Sequence, residues 1–84
     1  MIPAYRYAIE ERAVEDFVKL PDDEQDLLLA FFRWLAAHPD TQGDGWHKDA
    51  SERINYASLC GPFIVVHWCD HAVCEVRIVE FIRG

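Results

Sequence analysis

The sequence predicts an α+β fold in the order β-α-α-β-β-β, a helical hairpin packed on one face of a small, mainly antiparallel sheet. Three observations carry that prediction. Residues 4–9 alternate between faces, residues 10–37 hold apolar side chains at helical spacing with one break at Pro21, and residues 52–82 form three runs rich in β-branched and aromatic residues.

In the first run, AYRYAI, Tyr5, Tyr7 and Ile9 share one face and Ala4, Arg6 and Ala8 the other, the signature of a short strand. From Glu10 the period changes. Ala13, Phe17 and Leu20 recur at i, i+4 and i+7 with Val14 and Val18 beside them, while Glu11, Arg12, Glu15, Asp16 and Lys19 take the wet side of a helix that ends near Pro21. In PDDEQ, Asp22 is a suitable N-cap, Gln25 completes a capping-box pattern, and Asp23 and Glu24 suit the positive end of a helix dipole. The second helix is expected over residues 23–37, its apolar face centred on Leu27, Leu28, Phe31 and Leu35 and widened by Phe32 and Trp34. Pro39 and the DTQGDG segment that ends at Gly45 read as an exposed loop. Three strands follow, ERINYASLC, PFIVVHWC and AVCEVRIVEFI, divided by Gly61-Pro62 and by Asp70-His71.

A chain of 84 residues is expected to be one domain spanning residues 1–84, since a second core would leave each half too small to offset chain entropy. With 51% hydrophobic residues it should fold without disulfides or metal, although a domain of this size buries only about 60% of its unfolded surface and keeps a thin stability margin. No apolar run approaches the roughly 20 residues that span a bilayer, and MIPAYRYAIEER lacks a basic region followed by an apolar one, so no membrane association and a cytoplasmic location are expected. Cys60, Cys69 and Cys74 match neither a disulfide framework nor a paired zinc pattern, and reduced thiols follow.

The net charge of −7 argues against a general nucleic-acid binder, whose affinity would come from Lys and Arg matched to phosphates. The charge is unevenly distributed. Residues 1–45 carry four basic and ten acidic side chains, whereas residues 46–84 carry four basic and five acidic ones together with three of the four histidines. Any anion-facing surface therefore belongs to the second half.

The order of elements, with AVEDFVKLPDDEQDLLLAFFRWLAAHP as the helical hairpin and GPFIVVHWCDHAVCEVRIVEFI as the closing strands, resembles the RelE/ParE superfamily of bacterial toxins over nearly the whole chain. Its local signals are Ala13 and Asp16 three residues apart, the Leu20-Pro21 joint, the His38-Pro39 pair after the second helix, and Gly61 opening a strand that ends in Asp70. The resemblance implies the toxin component of a type II toxin–antitoxin system and an antitoxin protein as partner. It also implies either mRNA on the ribosome (RelE type) or DNA gyrase (ParE type) as target. RelE-type cleavage uses no metal or cofactor: a 2′-hydroxyl attacks its neighbouring phosphate, helped by acid–base groups and cations.

Several cationic positions of that pattern are replaced here. Ile64 stands where an arginine often follows the aromatic residue after the glycine, Ala57 and Leu59 stand where basic residues are common, and no tyrosine follows Tyr56. These departures argue against RelE-type cleavage. What remains as catalytic candidates is His67 with Arg53 and Arg77, with Lys48 and Arg83 as substrate-binding candidates. Arg77 within an apolar strand implies the open face of the sheet or an ion pair with Glu75 or Asp70, and isolated surface charges of this kind are more often solvated or paired than functional.

His67, Cys69, His71 and Cys74 raise the question of a metal site or of a thiol nucleophile. A two-residue turn at Asp70-His71 would set His67 opposite Cys74, and a shift by one would pair Cys69 with Cys74. One hairpin rarely supplies a structural zinc site, and free cysteines are common small core residues, so no metal and no cofactor are expected.

The wide apolar arc of the second helix predicts a hydrophobic groove for a partner, with Leu28, Phe32 and Trp34 as its contacts. A different class of function keeps the fold and drops toxicity: a protein-binding or assembly module, possible as a homodimer through a strand edge or the second helix. The acidic helical half motivates that alternative.

Overall fold

Describing residues 4–84, the computed structural model places two helices against one sheet. The elements are β1 (Arg6–Ile9), α1 (Glu11–Phe17), α2 (Asp22–Ala37), β2 (Gly45–Lys48), β3 (Ile54–Cys60), β4 (Phe63–Asp70) and β5 (Glu75–Arg83). The strands lie in the order β1-β5-β4-β3-β2, with β1 parallel to β5 and every other pair antiparallel. The expected fold class is present with one strand more than the sequence predicted. That strand, β2, is a four-residue edge element whose Trp46 is exposed, so it lacks the in–out alternation that burial imposes on a central strand.

Short local differences have local causes. Pro21 occupies the N-cap of α2 and no side chain caps the helix; Asp22 is already its first residue, and Gln25 Nε2 donates instead to the Phe17 carbonyl at 3.1 Å. The capping box is thus replaced by a bond that ties α2 back to α1. Asp22, Asp23 and Glu24 still sit in the first turn, where the partial positive charge of the helix favours them.

Leu28, Phe32 and Leu35 of α2 are fully buried and pack with Ala13 of α1 against Phe63, Val65, Val76, Ile78 and Phe81 of the sheet. Phe17 brings its ring near both Phe32 and Phe81, and Phe63 meets Phe81 edge-on at 5.6 Å. Removing each large side chain from water contributes about 1.5–3 kcal/mol. This corrects the expectation for two partner-binding contacts. Leu28 and Phe32 face the sheet and are not available to a partner, because the apolar arc is centred nearer them than Leu27, and Trp34 alone of the three remains exposed.

The β4–β5 hairpin closes through residues 71–74, with Asp70 opposite Glu75, Cys69 opposite Val76 and His67 opposite Ile78. Neither register expected from a two-residue turn occurs. The four-residue turn ends on Cys74 at φ 54°, and an irregularity at Val66/His67 shifts the later pairing. Among the described residues no helix is long and apolar enough to cross a membrane.

Candidate functional site

Alternation along the strands sorts the charged and aromatic side chains onto two faces. Toward the helices point Ser58, Cys60, Phe63, Val65, His67, Val76 and Ile78, all buried. Away from them, on the open face, the cross-strand partners Trp68 and Arg77 lie side by side, and Arg53 places its guanidinium 3.9 Å from the centre of the Trp68 ring. Trp68 is therefore flanked by two cations, a planar apolar plate between positive charges.

Each cation is held by its surroundings. Arg53 follows a turn organised by Asp49, whose Oδ1 accepts from the backbone N–H groups of Ser51 (2.9 Å) and Arg53 (3.0 Å) while Asn55 Nδ2 donates to Oδ2 (3.2 Å). The Arg53 N–H, with these other donors, holds the Asp49 carboxyl below its ordinary range. Glu52 takes a left-handed φ of 60° in the same turn. Arg77 Nη1 donates to Glu75 Oε1 at 2.8 Å, and the other oxygen of that carboxylate accepts from Arg6 Nε at 3.1 Å. One half-buried carboxylate thus faces two arginines, Arg6 and Arg77. Trp68 Nε1 and Arg77 Nε are buried N–H donors without an acceptor among the described residues.

The other end of the open face is apolar. Ile64 pairs with Leu59 on one side and Ile82 on the other, a row of three aliphatic side chains. Between the two ends Ala57, Val66 and Glu80 cross the strands, and Arg12 of α1 reaches Glu80 at 3.6 Å. Isoleucine at position 64 keeps this end of the surface apolar.

His67, the expected acid–base group, is not on this face. It is 3% exposed, its Nε2 lies 2.7 Å from Ser58 Oγ, and burial lowers its pKa from 6.5 to about 4. The grouping of His67 with Arg53 and Arg77 is therefore corrected: sheet alternation sends the histidine into the core and the arginines to the opposite side. Arg83 is corrected as well. It pairs with Phe63 in the register, faces the helices, stands 4.8 Å from the Phe63 ring and donates to Glu24 of α2 at 2.6 Å, a bond that lowers the Glu24 pKa. Lys48 is exposed opposite Ile54, on the side away from Arg53. The structure brings together Arg53 and Arg77, and it separates His67, Lys48 and Arg83 from them.

Trp68 and Asp49 were missed as site residues. An aromatic residue out of phase with the buried positions of its strand was the available signal for Trp68; the Asp-x-Ser spacing of a turn was the signal for Asp49.

At the hairpin tip, His71 Nδ1 stands 2.8 Å from Tyr5 Oη and 3.7 Å from Cys69 Sγ, and Asp40 approaches Nε2 at 3.9 Å. Burial pushes the Cys69 thiol up, aided by Asp40, Asp70 and Cys74, which keeps it protonated and a poor nucleophile. All three cysteines are free, and among the described residues no group of three His, Cys, Asp or Glu side chains is arranged to hold a metal ion.

No family model and no curated protein matches the chain. Among solved structures it is similar to the toxin–antitoxin complex RelBE2 of Mycobacterium tuberculosis, with 17% identity, 98% of this chain and 100% of that one covered, and a TM-score of 0.79. It is also similar to the RelE–RelB complex of Pyrococcus horikoshii, at 17% identity, 96% of both chains and a TM-score of 0.76. The isolated RelE toxin of E. coli is similar at 14% identity over 96% of this chain and 85% of that one, with a TM-score of 0.77. Identities this low establish a shared fold, and the fold is that of the RelE toxins.

Proposed function

We propose that this chain is a toxin-like component of a toxin–antitoxin pair, acting in the cytoplasm as one RelE-like domain, held by an antitoxin, and working by contact rather than by cutting RNA. The observation that supports this reading most is the separation of His67 from Arg53 and Arg77 by the thickness of the sheet. RelE-type cleavage requires a proton acceptor and cations on the same side of the scissile phosphate. Here the histidine is neutral and buried, and the end of the open face away from Arg53 and Arg77 is aliphatic, with Ile64 in its row.

The likeness to RelE chains solved with RelB partners supports the antitoxin. Arg53, Trp68 and Arg77 suit contact with an anionic, planar group, by stacking and charge, in whatever target the toxin engages. Expression of the chain alone and together with its neighbouring reading frame tests the proposal. Growth arrest with intact transcripts, relieved by co-expression, is the expected result; unimpaired growth at high levels of folded protein overturns the toxin reading and leaves a binding module on the same fold.

A further inference from the structure

Strand β2 forms the edge of the sheet farthest from β1 and pairs with β3 alone. Asp49 continues its register, and the Asp49 N–H donates to the opposed Arg53 carbonyl at 2.9 Å. Inward-facing amides alternate along an antiparallel ladder, so Asp49 and His47 turn theirs toward β3, while Trp46 and Lys48 turn N–H and C=O groups to the free edge. The side chains of that edge are also free among the described residues. Trp46 is 65% exposed, and Lys48 is exposed and makes no ion pair. Alternation sets these two on one face of the strand and His47 on the other.

We infer that β2 is the seam of a homodimer, in which a second copy of this chain pairs antiparallel through the same strand and joins two five-stranded sheets into one. The edge is complementary to itself in one register. With His47 on the two-fold axis, Trp46 of each copy stands opposite Lys48 of the other. The opposed residues exchange both backbone hydrogen bonds, and each ammonium lies over an indole. Asp49 then stands opposite Gly45, so no carboxylate meets another across the seam. An axis at Trp46 would instead need the Asp44 N–H, which already donates to the Ala57 carbonyl at 2.8 Å. Charge selects this edge as well: the acidic side chains are concentrated in residues 1–45, whereas β2 carries a lysine and no carboxylate. A foreign strand would have to bring the same alternation of aromatic and cation, and a second copy supplies it by symmetry. The inference goes beyond the toxin reading, since the dimer forms whether or not the chain arrests growth.

Sedimentation equilibrium of the full chain over a concentration series tests the seam. A reversible dimer is expected, and a weak one, because so short an edge falls below the size of a standard interface. Lys48→Glu, at an exposed position, should weaken it by roughly tenfold as a carboxylate replaces the ammonium over the indole. Trp46→Thr, which keeps strand propensity, should weaken it too. His47→Cys in a Cys69→Ser/Cys74→Ser background reads the register. Cysteines on a non-hydrogen-bonded pair have Cα atoms about 4.5 Å apart, within disulfide reach, so mild oxidation should yield a cross-linked dimer; Lys48→Cys in the same background should yield none. A monomer at submillimolar concentration, a dimer unaffected by Lys48→Glu, or cross-linking as ready at position 48 as at 47 would each overturn the inference.

Discussion

Ser58 Oγ and His67 Nε2 lie 2.7 Å apart on the helix-facing side of neighbouring strands, both residues buried. The pair satisfies two polar groups inside an apolar layer, and it turns the histidine into a pH-sensitive part of the core. Because burial lowers the folded-state pKa to about 4 while the unfolded chain keeps 6.5, the unfolded state binds the extra proton first as the pH falls. The stabilisation is complete above about pH 6.5 and is lost toward pH 4, at up to about 1.4 kcal/mol per pH unit. Urea midpoints of the protein and of the Ser58→Ala/His67→Leu double variant, taken across this range, should diverge, the variant showing the flatter profile. Parallel profiles would place the acid sensitivity elsewhere.

The two sides of α2 should respond differently to truncation. Leu28→Ala and Phe32→Ala remove fully buried side chains and should cost about 2–5 kcal/mol, enough to unfold much of so small a domain. Trp34 is 47% exposed and only stacks on Phe31 and His38, so Trp34→Ala should cost about 1 kcal/mol or less. Chemical denaturation of the three variants distinguishes core from surface directly.

Arginines on the two faces of the sheet should separate in anion binding. Arg53→Ala and Arg77→Ala should each lower the affinity for a short single-stranded RNA and flatten its salt dependence, whereas Arg83→Ala, on the helix side, should not. Arg53→Ala also removes the guanidinium from Trp68, worth about 0.5–1 kcal/mol at an exposed site. Equal effects from all three would mean that binding follows overall charge and not the open face.

Two glycines of the β2 approach offer a matched comparison. A Cβ on Gly43, at φ +69°, would stand 2.4 Å from Ser58 Oγ and 2.7 Å from the Ala57 carbonyl oxygen, while one on Gly45 meets nothing within 4 Å. Thermal melts should show Gly43→Ala destabilised by about 1–3 kcal/mol, through strained backbone and close contact, and Gly45→Ala little changed.

Much of this layout was legible in the residues. Period and turn chemistry located α1, α2 and the three long strands, because each buries a face and burial leaves a pattern. Strand β2 left none, since an edge element with exposed Trp46 and Lys48 has little to bury. The site was less legible than the fold. Alternation alone put His67 and Trp68 on opposite faces, but which face met the helices depended on the partner strands and on the hairpin register, and a four-residue turn cannot be told from a two-residue one in WCDHAVCEV. Arg83 shows the same difficulty: its pairing with Glu24 joins residues 59 apart in the chain. Ile64 was legible in the sequence as an apolar side chain, and the strand register sets it in an aliphatic row with Leu59 and Ile82.

The division of His67 from Arg53 and Arg77 is tested most directly by primer extension on a message held in translating ribosomes, with the purified, folded chain added in excess. Full-length products only, for the protein and for its His67→Ala variant alike, are the predicted result. Cuts at defined codon positions that vanish in Arg53→Ala or Arg77→Ala would contradict it, and would show that the open face cleaves RNA without the buried histidine.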